Sequence, residues 1–511
     1  MTGKSLRGKV LKLEKRCGAA FMFRYIKITI LAFLLLGCKL RSFNLSEKSI
    51  AETEKVDRVG FFNHSQVWYF RISGWDSSKI QSWQITDKTK VIGSRFEIFR
   101  LDETTAARTW CPKPEEIKPK DKIFSTTAFN VSLRGDKSKG TPKGSYLINF
   151  ENGNERFLDL KRIHLVAMFN DLSQMREALS QKLLSQFKVP SPRNSYVRFC
   201  MDDVYRGLYI NIEEVDKRFI SEVLDKPNFV SIYEGLDGSE PDAGQLSPRV
   251  GTASAQDRFE GKGYKKIAGA DDAKFQDFDQ LLNRIDVSLK YSGQSSTAET
   301  LSEIFDVDTF IRWMAVNQMI GGWDNYYYNA KNYFLVNSGT IEKPYFHWVP
   351  IDLDNTFGVS FTQHDWSKTN IFDWESVKGG THRLPLVRLI LTRPDWRKKY
   401  EDVLSNLVSS RPPQGNSQTF LFNEISAIWK MIESSVVKES DSENIDYSKE
   451  DPFKMAHTAR QFTTSDIRHQ VTVDSVNAPD PTGWANMTSP HLRTYIKRKW
   501  KNVSQQLGLE H

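Results

Sequence analysis

Two short apolar runs, Tyr333-Phe334-Leu335-Val336 and Phe346-His347-Trp348-Val349-Pro350-Ile351, stand on either side of the turn-forming residues Asn337-Ser338-Gly339. Aromatic and β-branched residues around a turn read as an antiparallel hairpin, which brings the residue that starts its first strand beside the residue that ends its second. Here those residues are Asn332 and Asp352, with Asp354 just beyond and Asp324 a short loop upstream in GGWDNYYYNAKN. Two turn residues near the middle would put both ends at one sheet edge. Amides and carboxylates gathered at the ends of apolar strands mark a candidate site, because clustered acids are costly unless something offsets their charge. Read alone, Trp323-Asp324-Asn325 is an ordinary polar turn; the hairpin and Asp352 are what make it more. The tyrosines at 326–328 read as packing residues, and His347 and His382 are assigned no role.

The rest of the chain sets the context. With 511 residues, 39% hydrophobic and 12% aromatic, it can bury a large core and divide into more than one compact unit. The net charge of +8 would normally raise nucleic acid as a partner, but eight Lys/Arg against Glu14 within residues 1–37 account for +7 of it. No nucleic-acid partner is expected from the remainder. The basic start leads into ITILAFLLLGC, the length of a signal-peptide hydrophobic region and short for a membrane span. Residues 1–37 therefore read as a signal peptide, with Met22 as an alternative start, and Leu35-Leu36-Gly37-Cys38 resembles a bacterial lipobox. Lipid on Cys38 would anchor the protein to a membrane of the bacterial cell envelope, outside the cytoplasm, through a polar tether at 38–58. A buried or membrane-spanning N-terminal helix is the other reading. Cys111 and Cys200 then remain, enough for one disulfide or two buried thiols. Without CxxC or HExxH, and with nine scattered histidines, zinc has no support.

Residues 59–235 read as β-rich, with strands near Val67–Ile72, Val131–Leu133, Tyr146–Phe150, Tyr196–Met201 and Tyr209–Glu213. One helix interrupts them: Asp171 can cap it, Leu172, Met175, Leu179, Leu183 and Phe187 share a face, and Pro190 stops it. Residues 236–268, rich in Gly, Ser, Asp and Pro, read as a loop or insertion. From 269 to 508 the pattern is mainly helical: Asp306 or Asp308 caps a helix ending at Gly321-Gly322, 384–408 is helical again, and 434–481 reads as a polar surface excursion. No internal repeat is present.

Four stretches, in order, carry a resemblance to a known family: SLRGDKSKGTPKGSYLINF; HLVAMFNDLSQMREALSQKLLSQFKVPSPRNSYVRFCMDDVYRGLYINIEEVDKRFI; GGWDNYYYNAKNYFLV with HWVPIDLDNTFG; and LPLVRLILTRPDWRKKYEDVL. Over roughly residues 125–410 the chain resembles the CotH (spore coat protein H) kinase family, atypical protein kinases of a diverged two-lobed fold. The resemblance implies an α+β molecule with a β-rich N-terminal lobe and a mainly helical C-terminal lobe, binding ATP with Mg²⁺ or Mn²⁺ and phosphorylating Ser/Thr of a partner protein. It implies Asp324 as the carboxylate that orients the attacking hydroxyl, and Asn332, Asp352 and Asp354 as metal ligands. Lys143 would meet the ATP phosphates, and Glu213 would pair with that lysine or contact nucleotide. Asp136-Lys137 and Gly144 depart from the family's usual pattern. Two rival readings stand beside the enzyme: a kinase-like surface lipoprotein used for adhesion or assembly, and an AMP transferase on the same scaffold.

Overall fold

Strands form where aromatic and β-branched residues alternate, and in the N-terminal half these runs build one large sheet. The computed structural model describes residues 56–74, 95–101, 110–135, 143–150, 156–201, 204–238, 240–291, 301–362, 364–378, 384–409, 416–440, 464–475, 477 and 487–509. The leader, Met22, Cys38 and most of the tether lie outside the described residues, as do Asp136-Lys137, His382 and much of 434–481. All the described residues belong to one compact unit, 56–511.

A single helical turn, α1 (Arg58–Phe61), precedes β1 (Val67–Ser73), β2 (Arg95–Phe99), β3 (Lys122–Thr126), β4 (Phe129–Arg134), β5 (Ser145–Phe150) and β6 (Arg162–Val166). Helix α2 (Arg176–Gln186) comes next, followed by the paired strands β7 (Asn194–Met201) and β8 (Val204–Ile212). The sheet runs β3-β2-β1-β7-β8-β6-β5-β4, antiparallel except for β1 against β7. Strands β7 and β8 are buried on both faces, and the two-residue period divides their side chains between two cores. Tyr196, Leu208 and Ile210 join a large core with α2, while Val197, Phe199 and Tyr209 join Trp68, Phe70, Phe96 and Ile148 on the other side. Removing β7 or β8 would open both.

The second half begins with α3 (Lys217–Val223), β9 (Ser231–Gly235), α4 (Ala255–Phe259), β10 (Tyr264–Gly269), α5 (Gln276–Lys290) and α6 (Val307–Ile320). After these come β11 (Tyr333–Asn337), β12 (Phe346–Pro350), α7 (Pro385–Thr392), α8 (Pro394–Val408), α9 (Ser417–Ser440), α10 (Thr464–Thr472) and α11 (Leu492–Gln506). The overall class is mixed α+β, as expected, but this half is less purely helical than its sequence suggests, because β10-β9-β11-β12 forms a second, four-stranded sheet. The 236–268 stretch is also not a structureless loop. It contributes α4 and β10, and Leu246, Phe259 and Tyr264 are core residues. Strand β10 escapes notice because YKKIAG is a short edge strand whose outward face mixes Lys265, Ile267 and Gly269, so it carries no clean alternation of apolar and polar residues. Within the polar stretch 434–481, α10 buries Ile467 and Val471 against the large core, so that part is not a surface excursion.

The two cysteines form a disulfide, with Cα atoms 5.8 Å apart and 89 residues separating them in sequence. A closure of that length restricts the unfolded chain enough to contribute about 4 kcal/mol in the chain-entropy picture. Among the described residues, no helix is long and apolar enough to cross a membrane.

Helix α6 leads directly into the loop that carries Asp324, and its ends are the ones expected. Asp306 accepts from the Thr309 backbone N–H at 3.0 Å, and Gly321 closes the helix with a left-handed φ of 63°. Burial pushes the Asp306 carboxyl up, but hydrogen bonds from His347 and Thr309 outweigh it and hold the group at about 2, below the ordinary 3.8. A depressed carboxylate stabilises the fold above its unfolded pKa and loses that contribution as pH falls through the folded value. Asp306→Ala should therefore cost about 1 kcal/mol at neutral pH. The difference in melting temperature between the two proteins should shrink between pH 4 and pH 2; a difference constant over that range would refute the capping role.

Candidate active site

The chain leaves α6 through two glycines because nothing larger fits. A Cβ on Gly321 would overlap the Tyr495 hydroxyl, and one on Gly322 would overlap Asn317 Oδ1. Asn317 Nδ2 and Asn325 Nδ2 donate to the Gly322 carbonyl oxygen at 2.8 and 3.1 Å, and Asn325 Nδ2 also reaches Asn317 Oδ1 at 2.7 Å. This amide network fixes the loop that displays Asp324. Asn325 is thus a buried brace. Behind the loop, Tyr326 bonds the Gln245 carbonyl and Tyr327 that of Asp373, so these rings pack, as expected.

The hairpin positions the remaining residues. In its register Tyr333 faces Pro350, and the Ile351 N–H donates to the Asn332 carbonyl oxygen at 3.0 Å. The connection spans 338–345, longer than the two-residue turn expected, yet the strand ends still meet. Asn332 and Asp352 therefore leave adjacent ends of adjacent strands. Both have left-handed backbones, with φ of 59° and 57°, a conformation that Asn and Asp adopt more readily than other non-glycine residues. Asn332 Nδ2 donates to the Asp324 backbone carbonyl at 2.5 Å, tying hairpin to loop and leaving Oδ1 as an oxygen donor. Asp324 Oδ1 accepts from Asn329 Nδ2 at 2.5 Å and pairs with Lys331 Nζ at 3.1 Å. The loop and the hairpin thus bring Asp324, Asn332 and Asp352 to one end of the second sheet, with Asp354 two residues on.

The other wall comes from the first half. Helix α2 sends Glu177 Oε2 to the Leu353 N–H at 2.6 Å, between Asp352 and Asp354. The Leu353 carbonyl accepts from Thr356 Oγ1 at 3.0 Å and Ser180 Oγ at 3.4 Å. The base of α2 is itself held by Asp171, which accepts from the Arg176 N–H at 2.7 Å and pairs with its guanidinium. Asp171 thus organises the entry to the helix, although Met175 occupies the cap position.

Electrostatically the site is an acid cluster answered by two cations. Burial and the nearby Asp352 push the Glu177 carboxyl up to about 8, against the Leu353 N–H and Arg134. Burial, then Asp352, Glu177 and Asp324, hold Asp354 well above the usual carboxylate range. Asp352 is raised by the surrounding protein and by Asp324, while Arg134 and Lys331 pull it down. Because Asp352 is open to solvent, water softens the first of these causes and the Asp324 charge is the one that persists. Burial opposes the Lys331 charge, yet Asp324, Asp352 and Asp237 raise its pKa. Arg134, at the end of β4, is lowered by burial and supported by Asp352, Glu177 and Asp354.

Arg134 and Glu177 are the residues that sequence reasoning passed over. Arg134 was visible in the Arg-Gly segment, whereas nothing in MREALSQ distinguishes Glu177 from a solvated helix glutamate. The expected Lys143–Glu213 pair does not form. Lys143 is buried, with its ammonium 4.4 Å from the centre of the Tyr209 ring and 2.5 Å from the Leu208 carbonyl oxygen. Glu213, at the far end of β8, is held by Arg58 at 2.7 Å and Arg193 at 2.6 Å. Two arginines satisfy that carboxylate better than one lysine, through several charge-assisted bonds.

All the candidate ligands are oxygens, suited to a hard divalent cation. Among the described residues, no three His, Cys, Asp or Glu side chains gather closely enough to hold a metal by themselves. Magnesium takes one or two carboxylates and completes its shell with water and substrate phosphates. Crowded carboxylates with raised affinity for protons are also the groups a cation would relieve.

The family follows from comparison of the whole chain. The model of the CotH kinase protein family matches residues 131–464, and the chain belongs to that family. It is 24% identical over 301 residues to the inner spore coat protein H of Bacillus subtilis (strain 168), a match covering 58% of this chain and 75% of that protein. It is also 22% identical over 353 residues to spore coat protein homolog 1 of Rhizopus delemar, covering 65% of this chain and 51% of that relative, so it spans about half the fungal protein's length.

A carboxyl whose folded pKa lies above its unfolded value favours folding in its protonated form, so its contribution declines as pH rises between the two values. For Glu177 that window runs from 4.5 to about 8. With chelator present, Glu177→Gln, which keeps an acceptor for the Leu353 N–H, should gain in melting temperature relative to the parent protein as pH rises from 5 to 8. Parallel melting curves across that range would mean the buried acid is not taking up a proton.

Proposed function

We propose that this chain is an exported, lipid-anchored protein kinase that passes the γ-phosphoryl group of ATP to a Ser or Thr hydroxyl of a partner protein. What supports the reading is that the loop and the β11–β12 hairpin bring Asp324, Asn332 and Asp352 to one end of the second sheet, with Asp354 two residues further on. Phosphoryl transfer asks for a carboxylate to orient the alcohol and for oxygen ligands to fix a metal against the phosphates, and little else. A strand-borne cation facing a helix-borne glutamate is a further part of kinase machinery; Arg134 and Glu177 are the candidates here. Both relatives are named for spore coats, which supports a coat or envelope protein as acceptor.

In the step itself, the acceptor hydroxyl donates a hydrogen bond to Asp324 and gives it the proton. The alcohol oxygen bonds to the γ-phosphorus as the bond from that phosphorus to the β–γ bridging oxygen breaks. ADP leaves with the electron pair. Asn332, Asp352 and Asp354 would hold Mg²⁺ or Mn²⁺, whose charge would offset that of the phosphates. The Asn332–Asp324 bond keeps the two halves of the site in register throughout.

With the full chain in detergent, γ-labelled ATP and Mg²⁺ should label protein hydroxyls, and Asp324→Ala or Asp352→Ala should lower the rate by about 10²–10⁴-fold. Label arriving only from the α position would instead identify AMP transfer, and no transfer by a folded protein would leave a kinase-like surface module. Separately, Cys38→Ala should move the protein from the membrane fraction into the soluble one; retention at the membrane would end the lipid-anchor reading.

A further inference from the structure

We propose that Lys331 is a catalytic residue whose ammonium binds the γ-phosphate of ATP during transfer while keeping Asp324 in place, an inference that rests on the kinase reading.

Its position is built, not incidental. Lys331 lies between Ala330 and Asn332, which have left-handed backbones with φ of 54° and 59°. An alanine seldom adopts that conformation, since its Cβ crowds the following carbonyl oxygen. Neighbouring chain enforces it: Gly244 packs so closely that a Cβ there would overlap the Ala330 carbonyl oxygen. On the other side, the Asn332 side chain is bonded to the Asp324 carbonyl. Strain at Ala330, held by packing from elsewhere, is the kind of outlier found at functional sites. A surface ion pair contributes too little to require such an arrangement. Between Ala330 and Asn332 the Lys331 side chain is only 15% exposed, and its ammonium sits 3.1 Å from Asp324.

The direction of transfer explains why a cation is useful there. The donor phosphate is held on the side of Asn332 and Asp352, and the acceptor alcohol on the side of Asp324. The phosphoryl group must cross between them, with its negative charge spread over three oxygens. Lys331 is covalently next to Asn332 and ion-paired with Asp324, and its charge also acts on Asp352. An ammonium has three N–H donors, so one can remain on Asp324 while the others meet phosphate oxygens. Arg134 acts on Asp352, Asp354 and Glu177, the donor side of the site. No bond beyond those of the transfer step is made or broken.

The test separates this role from the underlying kinase reading. The melting temperature of the full chain in detergent is measured alone, with Mg²⁺-ADP and with Mg²⁺-ATP. The parent protein should be stabilised by both, and more by ATP, since a ligand selective for the folded state raises the melting point. Lys331→Met should keep the ADP shift, lose the extra ATP shift and reduce kcat by about 10²–10³-fold, the usual effect of removing one preorganised donor. Lys331→Arg should retain the ATP preference. If Lys331→Met does not fold, Lys331→Gln reads the same difference. An ATP preference that survives in the neutral variant, or a parent protein that responds equally to ADP and ATP, overturns the Lys331 role and leaves the kinase reading standing. No response of the parent to either nucleotide overturns both.

Discussion

The site depends on one short stretch of backbone, Asp352-Leu353-Asp354, and on the two elements that grip it. From one side the β11–β12 ladder sets where the stretch begins, because the Ile351 N–H bonds the Asn332 carbonyl and the strand cannot slip by one residue without turning every side chain to the wrong face. From the other, Glu177 takes the Leu353 N–H, while Ser180 and Thr356 bond its carbonyl. Both polar groups of a buried residue are thereby satisfied, which backbone burial requires. The consequence is that helix α2, packed on the first sheet, and the hairpin in the second sheet are fastened to one residue's backbone. A shift of either would move the candidate metal ligands.

That arrangement also explains the charge pattern. Glu177 is buried beside Asp352 and is driven toward its neutral form, and burial with the same neighbours pushes the Asp354 carboxyl up as well. Within the protein itself, protons and the charges of Arg134 and Lys331 share the task of offsetting the acids. A divalent cation with bound phosphates would perform it differently, drawing protons off as it enters. The two cations are not equivalent. Arg134 lies on the side of α2, and Lys331 links the loop of Asp324 to the hairpin.

Some of this was legible in the residues and some was not. The α6 boundaries were legible because Asp306 and Gly321-Gly322 are strong local signals, and the hairpin because its apolar runs are long and bounded. The nearness of Asn332 and Asp352 followed from the hairpin, since antiparallel pairing converts a separation along the chain into a meeting in space, whereas Asp324 is joined to them by the Asn332 side chain. The Lys143–Glu213 pairing was misplaced because a lysine and a glutamate on a β-rich half can each find several partners. Glu213 found Arg58 and Arg193, and Lys143 found the Tyr209 ring and the Leu208 carbonyl. Strand β10 was missed because its outward face mixes Lys265, Ile267 and Gly269, which leaves little periodic trace.

By itself the sequence determined local things: which segments turn or extend, where helices start and stop, and which acids and amides sit at their ends. These follow from steric and hydrogen-bonding preferences that act within a few residues. Only the tertiary structure decided that Glu177 would clasp Leu353, that Arg134 would act on the acids, that Cys111 and Cys200 would join, and that Lys331 would pair with Asp324. All but the last of those depend on segments far apart in the chain, and the competition among many similar partners is settled by packing, which no local pattern encodes.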